Sequence, residues 1–567
     1  MNMKPNILFV NLPSIPFNEI QKIVNKQSDF TDFIQPISFP MGLLYISSYM
    51  KKNVDVGKVC IVDFVLLLEN LIHYQTLESF INSTIEKEVN FTPDIIGISL
   101  IFSTSHRFFE TIVLILKKYW PNVKVVVGGT HATNCFKAIL NCDAVDYIIR
   151  GEGEIAFSSL IENIVSGNSN SIRGVYTRNS LSDDVFFKTS LIPNLDKLPL
   201  PDWELLDTEK YITSRGRQRV NVDEAQKRIG TIITTRGCPF KCTFCSAHTV
   251  HGRKVRSRSL SNIIHEIKLL HERYGVNLFI PEDDLFTFKK DRVIGVLRAV
   301  TQLNIPDVEF QFPNGLSIAT LDKEILCALK NVGVRTITLA IESGSDYVQK
   351  KIMKKRCSLT KAKEIVRLSR ELGFIVRCYF ILGFPGETKQ HIEITKNYIL
   401  NLKADWYVIH PVVPLVGSEL YQQFLERGDI QDNHLVWEQS SFRERSFDTI
   451  EISGADLKKI CYQLNIELNF INNYNLKNQN FNRAKEQFLD IINLYPFHIF
   501  ALQGLYKCYV GLGDKLKAKS TLDILRDTIK NDKRAKNMFT QYKQLFNPEF
   551  LQYIFPDKKN LNNKDFE

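Results

Sequence analysis

Short apolar runs and helical patterns alternate twice along this chain of 567 residues. The runs in residues 1–165 are rich in Val and Ile and nearly continuous, as is typical of strands buried on both faces of a sheet. Alternating strands and helices form right-handed βαβ units, so this segment predicts a doubly wound parallel sheet of the Rossmann-like type. The predicted strands lie at 6–13, 58–64, 94–102, 123–131 and 146–154, with helices at 105–118 and 133–140 among the connections.

The second alternation begins at residue 231, after a less regular stretch. Residues 166–230 include the proline-rich segment IPNLDKLPLPDWELLD and are predicted to be an extended linker. Six consecutive βα units then predict a (β/α)6 partial TIM barrel over residues 231–430, with its active site at the carboxyl ends of the strands. The predicted strands are 231–236, 277–284, 309–315, 336–343, 376–383 and 406–414.

Strand patterns disappear from about residue 455, and residues 431–567 are predicted to form an all-helical C-terminal region. A 34-residue period over about 477–530 resembles one tetratricopeptide repeat and part of another. Two such repeats rarely stand alone, so we expect them either to close the barrel or to bind a peptide partner. The residues at the expected packing positions are Phe481, Ala484, Phe488, Pro496, Ala518 and Leu522.

Composition and charge argue against several classes of protein. The chain is 44% hydrophobic and 24% charged, as ordinary globular proteins are. Its Lys and Arg are scattered, so the formal net charge of +10 does not indicate a nucleic-acid partner. No window holds the roughly 18 uncharged apolar residues of a membrane span, and the N-terminus does not resemble a signal peptide, so we expect a cytoplasmic protein without a membrane partner. An odd number of Cys, 11, argues against a disulfide framework.

Three of these cysteines are crowded into RGCPFKCTFCSA, directly after the first predicted barrel strand. Cys238, Cys242 and Cys245 are spaced so that one irregular loop can direct their thiolates at one inorganic centre. Zinc requires four ligands, and His248 or His251 could supply the fourth. A [4Fe-4S] cluster held by three Cys leaves one iron open to an exogenous chelator. Structural zinc sits in small knuckles, so a position at the mouth of a barrel favours the cluster.

The pattern CPFKCTFC, with an aromatic residue just before its last Cys, resembles the cysteine motif of radical S-adenosylmethionine (SAM) enzymes. That resemblance implies a [4Fe-4S] cluster whose open iron binds the amino and carboxylate groups of SAM. Electron transfer to the sulfonium breaks a carbon–sulfur bond and gives a 5′-deoxyadenosyl radical, which abstracts hydrogen. The family also implies an electron donor such as flavodoxin or ferredoxin.

The resemblance places further residues at the SAM site. The acidic run FIPEDDLFT ends the second barrel strand where the family usually has Gly-Gly-Glu, and IESGS and ILGFPGET end the fourth and fifth strands. The residues predicted to bind SAM are Phe244, Glu282, Asp283, Glu342, Ser343, Gly383 and Pro385, and the candidate catalytic residues are Arg377 and Tyr379. The alternatives are solvated loop acids for the acidic run, a buried ion pair for Arg377 and a core position for Tyr379.

Three loops of the first domain, GISLIFSTS, GGTHAT and RGEGE, resemble those of cobalamin-binding domains. Small residues and hydroxyls there let the backbone approach a flat corrin and bind its amide side arms. The motif Asp-x-His-x-x-Gly, which supplies an axial histidine in other cobalamin domains, is absent, so His131 is expected beside the corrin or as a structural residue. The residues predicted to bind cobalamin are Ser99, Ser103, Thr104, Gly128, Gly129, His131, Gly151 and Glu152.

Together these motifs resemble cobalamin-dependent radical SAM enzymes over about residues 1–430. The expected reaction is methylation of an unactivated carbon in a small-molecule or carrier-bound substrate, with rearrangement or cyclisation as the alternative in the same family. A radical SAM enzyme that does not use cobalamin is a second alternative. From another class, a zinc-stabilised adaptor would use the helical repeats to bind a partner.

Overall fold

The computed structural model describes residues 4–27, 37–168, 170–181, 189–213, 227–433, 436–437 and 445–555. Within these residues, a six-stranded sheet is followed by parallel strands of a partial barrel and then by helices alone. This order of regions confirms the predicted fold class. None of the described helices combines the length and the apolar stretch that a bilayer crossing requires.

The first region is the predicted doubly wound sheet. Its strands are β1 (Ile7–Asn11), β2 (Val59–Asp63), β3 (Ile95–Ser99), β4 (Lys124–Gly128), β5 (Tyr147–Ile149) and β6 (Val175–Tyr176). They lie in the order β2-β1-β3-β4-β5-β6, and all are parallel except β6, which pairs with β5 in antiparallel fashion. β1 is buried along its whole length, which explains its uninterrupted apolar sequence.

Among the described residues, eight α-helices connect these strands. They are α1 (Phe17–Val24), α2 (Met41–Asn53), α3 (Phe64–Leu67), α4 (Leu77–Glu88), α5 (His106–Tyr119), α6 (Thr130–Asn134), α7 (Phe136–Leu140) and α8 (Glu154–Ser166). The predicted helix at 133–140 is two short helices, because Cys135 between them has a non-helical backbone with φ −109° and ψ 23°.

The strands of the second region are β7 (Ile229–Ile232), β8 (Thr235–Arg236), β9 (Arg256–Ser257), β10 (Leu278–Pro281), β11 (Glu309–Phe310), β12 (Leu316–Ser317), β13 (Thr336–Glu342), β14 (Ile375–Leu382) and β15 (Trp406–Pro411). β11, β10 and β7 form one parallel sheet, and β12 to β15 form another. The predicted third strand, 309–315, is divided because a turn closed by the Gly315 N–H and the Phe312 carbonyl separates β11 from β12.

The helices of this region begin mostly at polar residues that cap them. They are α9 (Thr208–Ile212), α10 (His248–His251), α11 (Leu260–Tyr274), α12 (Lys290–Thr301), α13 (Lys323–Asn331), α14 (Leu359–Glu371), α15 (Lys389–Leu400) and α16 (Glu419–Glu426). A side-chain oxygen accepts a hydrogen bond from the first turn at Ser259, Asp322, Ser358, Thr388 and Ser418.

The predicted first barrel strand, 231–236, also divides. β7 pairs with β10 in the barrel, whereas β8 pairs with β9 in antiparallel fashion. β8 and β9 therefore form the stem of a hairpin. The loop that this stem carries, residues 237–255, contains the three crowded cysteines and is called the cysteine loop below.

Helix α17 (Gly454–Ile466) packs along the edge of β15 that faces away from β14. Asn469, on the π-helical turn that continues α17, donates to the Tyr407 carbonyl (2.7 Å) and accepts from the Tyr407 N–H (2.8 Å). Asn465 makes the same two contacts with Ile409 at 2.8 and 3.3 Å. Each amide supplies a donor and an acceptor, so the two side chains take the place of a strand at this edge, where β15 has no second strand partner among the described residues.

The helices of the last region are α17 (Gly454–Ile466), α18 (Tyr474–Lys477), α19 (Phe481–Leu494), α20 (Ile499–Gly511), α21 (Lys515–Asn531), α22 (Lys533–Tyr542) and α23 (Pro548–Ile554). Ala484, Phe488 and Leu522 share one hydrophobic core there. A Cβ at Gly504 would lie 2.5 Å from the Phe488 ring, so glycine lets α19 and α20 pack closely. The tetratricopeptide assignment itself stays a prediction.

The segment predicted to be a linker packs into both neighbouring regions. β6 joins the first sheet, and the core beneath the barrel helices includes Ile192, Leu195, Trp203, Tyr211 and Ile212. Conversely, one core of the first region includes residues that follow the last barrel strand, namely Val412, Leu420, Phe424 and Trp437. The first two regions are therefore joined by shared cores.

Candidate active site

The stem fixes where the cysteine loop leaves the barrel. Gly237 has φ +94°, and a Cβ there would lie 2.5 Å from the carbonyl oxygen of Lys254, so this turn requires glycine. The Gly237 N–H donates to Oδ2 of Asp284 (2.7 Å), and the Cys238 N–H donates to the Gly252 carbonyl (3.3 Å). The loop therefore starts from a fixed point beside the acidic run.

Cys238, Cys242 and Cys245 lie on this loop as partly buried free thiols. Burial raises the pKa of the Cys238 thiol to about 11 and also raises the pKa of the other two. A metal centre replaces these protons, so loading of the site releases them. In the described part of the chain, no three His, Cys, Asp and Glu side chains stand at the separations of a metal site, so the thiols share a loop without forming a closed ligand shell.

The three thiolates fit an iron–sulfur cluster without a further side-chain ligand, whereas zinc would need a histidine as well. Three thiolates on one irregular loop can ligate three irons and leave the fourth open. Of the two histidines considered for a zinc site, His251 is bonded through Nδ1 to Glu152 (3.0 Å). His248 is the other, and burial lowers its pKa, which favours the neutral ring that a metal ion binds. Zinc would need one of these rings as its fourth ligand.

Thr243 fastens the cysteine loop to two later parts of the barrel. Its N–H donates to the Met353 carbonyl (3.0 Å), and its hydroxyl donates to the Ile352 carbonyl (3.0 Å). Its own carbonyl accepts from the N–H of Leu420, at the start of α16 (2.8 Å). The Thr243 side chain is fully buried, so these bonds fix the middle of the loop.

The carboxylates of the acidic run have different partners. Asp283 accepts from the N–H groups of Thr234 (2.6 Å) and Thr235 (3.0 Å), and its pKa is raised by burial. It therefore holds the connection between β7 and β8. Glu282 is exposed and accepts from Nδ2 of Asn314 (2.7 Å). Of these two predicted SAM residues, Glu282 is the one free to meet a ligand.

Glu342, at the end of β13, pairs with Lys355. The two groups are 3.3 Å apart and nearly buried, and burial raises the pKa of Glu342 although Lys355 opposes that rise. The Lys355 ammonium lies 5.7 Å from the centre of the Phe244 ring. Lys355 thus contacts two predicted SAM residues, Phe244 and Glu342. The sequence does not predict this role, because Lys355 is one of several basic residues in the segment KKIMKKR (350–356).

Two other predicted SAM residues face helices. The Ser343 hydroxyl is fully buried and lies 3.2 Å from that of Thr395 on α15. Gly383 has φ +92°, and a Cβ there would overlap Leu457 on α17. Helix packing therefore accounts for the small side chains at both positions, and SAM binding by these residues and by Pro385 stays a prediction.

β14 alternates between buried and half-buried residues, so its side chains point to opposite sides. The core under the helices takes Val376, Cys378 and Phe380. Arg377 and Tyr379 therefore face the barrel interior. The Tyr379 hydroxyl donates to the Pro313 carbonyl (2.7 Å), which ties β14 to the turn that divides the third strand.

A cavity of about 270 Å³ lies where the first two regions meet. The first region contributes the carboxyl ends of β1 and β3 and the loops after them, and the barrel contributes β7, β10 and the following residues. Doubly wound sheets and barrels both bind ligands at the carboxyl ends of their parallel strands. The cavity therefore lies between the edge of the first sheet and the edge of the barrel at which ligands are expected. Its wall includes Asn11, Ser99, Phe102, Tyr211, Thr231 and Glu282.

Of the residues predicted to bind cobalamin, Ser99 lines this cavity. The Thr104 hydroxyl donates to the carbonyl of Ser14, another lining residue (2.8 Å). Gly129 has φ +111°, and a Cβ there would lie 2.5 Å from the Leu100 carbonyl. Contact with cobalamin stays a prediction for Ser99, Ser103, Thr104, Gly128, Gly129 and Gly151.

His131 is engaged at both ring nitrogens. Nδ1 lies 2.9 Å from the Ser103 hydroxyl, and Nε2 lies 3.1 Å from Nδ1 of His106. Trp437 packs edge-on against both imidazole rings. Burial, with a smaller contribution from His106, lowers the pKa of His131 to about 3, so the ring is neutral. This geometry supports the structural alternative for His131.

Glu152, also predicted at cobalamin, reaches instead to the stem of the cysteine loop. Its carboxylate accepts two hydrogen bonds from Arg256, at 2.7 and 2.8 Å. A third bond joins it to the backbone N–H of Ile192 (2.7 Å). The carboxylate is therefore committed to ion pairs and backbone bonds rather than to the cavity.

A polar cluster at the edge of the cavity was not predicted. The Asn11 amide donates to Asp63 (3.0 Å), and the Tyr211 hydroxyl donates to the other oxygen of the same carboxyl group. Burial raises the pKa of Asp63 to about 6. Asn11 and Asp63 are the last residues of β1 and β2, so their polar side chains at strand ends could have been noticed in the sequence. Tyr211 lies far away in the sequence and is brought to Asp63 only by the tertiary fold.

Comparisons with known proteins identify both regions. The model of the radical SAM superfamily matches residues 232–399, and the model of the B12 binding domain matches residues 34–161. An uncharacterised methyltransferase of Pyrococcus horikoshii is 30% identical over 387 residues, 68% of this chain and 78% of that protein. The cytidylyl-2-hydroxyethylphosphonate methyltransferase of Streptomyces wedmorensis is 26% identical over 438 residues, 70% of this chain and 80% of that protein.

A solved structure shares the fold. The cobalamin-dependent S-adenosylmethionine radical enzyme OxsB, with aqua-cobalamin and S-adenosylmethionine bound, aligns with a TM-score of 0.60 at 14% identity, covering 98% of this chain and 84% of that one. The cysteine loop lies within the radical SAM match, and the predicted cobalamin loops lie within the B12-binding match. The chain therefore belongs to the cobalamin-dependent radical SAM enzymes, whose cofactors are a [4Fe-4S] cluster, SAM and cobalamin.

Proposed function

We propose that this enzyme transfers a methyl group to an unactivated carbon of a small-molecule or carrier-bound substrate. The observation that carries the proposal is the cavity with one wall from the cobalamin-binding region and one from the barrel. When bound, the cluster and SAM would supply the radical chemistry that activates the substrate carbon, and methylcobalamin would supply the methyl group. The two related methyltransferases agree with this proposal.

The residues of the chain hold and orient these groups. Cys238, Cys242 and Cys245 ligate the cluster. Glu282, held by Asn314 at the cavity wall, binds the cationic amino group of SAM. A carboxylate placed there pairs with the ammonium group and accepts its hydrogen bonds.

The cavity wall also keeps water away from the reacting carbon. Its buried apolar side chains include Ile37, Phe39, Met41, Val65 and Ile280. An apolar wall suits an adenosyl radical, because a radical that abstracts hydrogen indiscriminately must be kept from side reactions. The volume of about 270 Å³ suits a small substrate or the reacting end of a carrier-bound one.

An acidic one-electron carrier, such as flavodoxin or ferredoxin, is the proposed electron donor. Lys241, Arg253 and Lys254 are exposed on the cysteine loop, and Lys350 and Lys351 are exposed on the segment to which Thr243 fastens it. Complementary charge steers such a carrier to the face nearest the cluster.

The test uses protein reconstituted anaerobically with iron and sulfide and loaded with hydroxocobalamin. With a low-potential reductant and SAM deuterated in its methyl group, we expect 5′-deoxyadenosine and deuterated methylcobalamin, both measured by mass spectrometry. Cys242→Ala is expected to lose both iron and 5′-deoxyadenosine formation. Cys327→Ala, at a partly buried cysteine on α13, is the matched control and is expected to keep both.

Two results would contradict the proposal at different points. Wild-type iron content and SAM cleavage in Cys242→Ala would remove the cluster assignment. A normal cluster that cleaves SAM but forms no deuterated methylcobalamin would leave a radical SAM enzyme whose reaction is a rearrangement or cyclisation.

A further inference from the structure

The stem of the cysteine loop carries two like charges side by side. Arg236 on β8 lies directly opposite Arg256 on β9 in the antiparallel register. Directly opposed residues place their side chains on the same face, and like charges in that arrangement repel. The two side chains are 5% and 7% exposed, so water does little to screen them. The stem therefore needs negative charges from another part of the chain to offset its two arginines.

The missing charges come from the cobalamin-binding region. Glu154, the first residue of α8, accepts from Nη2 of Arg236 (2.6 Å). Glu152, two residues earlier, accepts two hydrogen bonds from the Arg256 guanidinium and also lies 3.5 Å from Nη1 of Arg236. The two carboxylates and the two guanidinium groups balance, so the network carries no net charge when His251 is neutral.

Burial makes this balance important. The carboxylate side chains are 1% and 3% exposed for Glu152 and Glu154. Burial alone raises the pKa of Glu152, but the hydrogen bonds from His251 and Arg256 and the charge of Arg236 bring it well below its ordinary value. Removing one partner from such a network leaves a buried charge unpaired, which destabilises a structure more than the pair itself stabilises it.

Other contacts hold the same loop against the first region. Asn134 of α6 donates to the hydroxyl of Thr249 in α10 (3.1 Å). The Arg236 guanidinium lies 5.1 Å from the centre of the Tyr45 ring on α2. The first region therefore contacts both the stem and a helix of the cysteine loop.

We propose that Glu152 and Glu154 are positioning residues for the iron–sulfur chemistry. By pairing with Arg236 and Arg256, the cobalamin-binding region holds the stem closed, so that cluster binding by the barrel depends on the docked first region. This inference rests on the cluster assignment of the proposed function and adds a coupling between the two cofactor regions.

The test compares full-length variants after anaerobic reconstitution. Glu154→Gln leaves Arg236 without its closest carboxylate and is expected to lower iron and labile sulfide per chain at least threefold, with an altered electron paramagnetic resonance spectrum of the reduced cluster. Arg236→Gln combined with Glu154→Gln leaves neither charge and is expected to recover most of the iron. Circular dichroism reports whether each variant is folded.

Asp405→Asn is the matched control. Asp405 is a fully buried carboxylate held by Arg370 (2.9 Å) and Arg483 (2.7 Å), and it joins the barrel to the helical region. Its substitution is expected to lower the unfolding temperature while leaving iron content and the cluster spectrum unchanged. This control separates loss of a buried ion pair from loss of the stem.

Wild-type iron content and spectrum in a folded Glu154→Gln variant would overturn the inference while leaving the Cys242→Ala test intact. If Glu154→Gln does not fold, the double variant decides. A folded double variant with wild-type iron supports the charge balance, and a folded double variant without iron overturns it.

Discussion

Glu387 is a buried carboxyl group that makes the stability of this enzyme depend on pH. It accepts from the N–H groups of Gly383 (2.6 Å) and Phe384 (3.2 Å), yet burial dominates and raises its pKa from 4.5 to about 7. The folded state therefore retains a proton that the unfolded state has released. The stability that this proton provides is complete below about pH 4.5 and is lost as pH rises through 7.

Glu387→Gln is expected to remove this dependence. Relative to the variant, the wild type should lose about 3 kcal/mol of unfolding free energy between pH 4.5 and 8, measured by urea titration at several pH values. Glu393→Gln, at an exposed position on the following helix, is the control and should show no such trend. Parallel curves for the wild type and Glu387→Gln would mean that Glu387 ionises normally in the folded protein.

Single residues also show which parts of the site are readable from the sequence. The three cysteines were predictable because their spacing places them on one loop, whatever the rest of the chain does. Glu152 was placed at cobalamin because its local motif resembles a cofactor loop. Its partners His251 and Arg256 lie 99 and 104 residues further along the chain, and no local pattern records them.

Among the secondary-structure elements, the long buried strands were predicted well and the irregular ones were not. Apolar runs such as β1 and β13 are specified by burial on both faces. The division of 309–315 depends on a turn at Gly315, and the division of 231–236 depends on pairing with β9. The ends of short strands therefore depend on contacts with distant residues, and hydrophobic periodicity does not predict such contacts.

The edge of β15 gives a prediction about the helical region. Asn469→Ala leaves the N–H and carbonyl groups of Tyr407 unpaired in a buried position, which is expected to cost about 1–3 kcal/mol of unfolding free energy. Urea unfolding measures the loss. The control is Asn478→Ala, which removes an exposed bond to the Tyr474 carbonyl and is expected to change little. Equal stability of the two variants would show that α17 does not close the barrel edge.

For the whole molecule, the shared cores determine whether cofactor binding to one region also stabilises the other. Trp203 and Tyr211 pack with the barrel core, and Leu420 and Phe424 pack with the core of the first region. Neither region can lose its partner without exposing apolar surface. The cobalamin-binding region and the barrel are therefore expected to unfold in one transition.

Cobalamin is accordingly expected to stabilise both regions together. A ligand at 100 times its Kd that binds only the folded state adds about 2.7 kcal/mol. Calorimetry should show one transition moving to higher temperature, and hydrogen exchange should slow in β13 and β14 as well as in β1 and β3. Free 5,6-dimethylbenzimidazole at the same concentration is the control and should not move the transition. Two transitions, of which cobalamin moves one, would show that the shared cores do not couple the regions, and the stem would then close without help from the cobalamin-binding region.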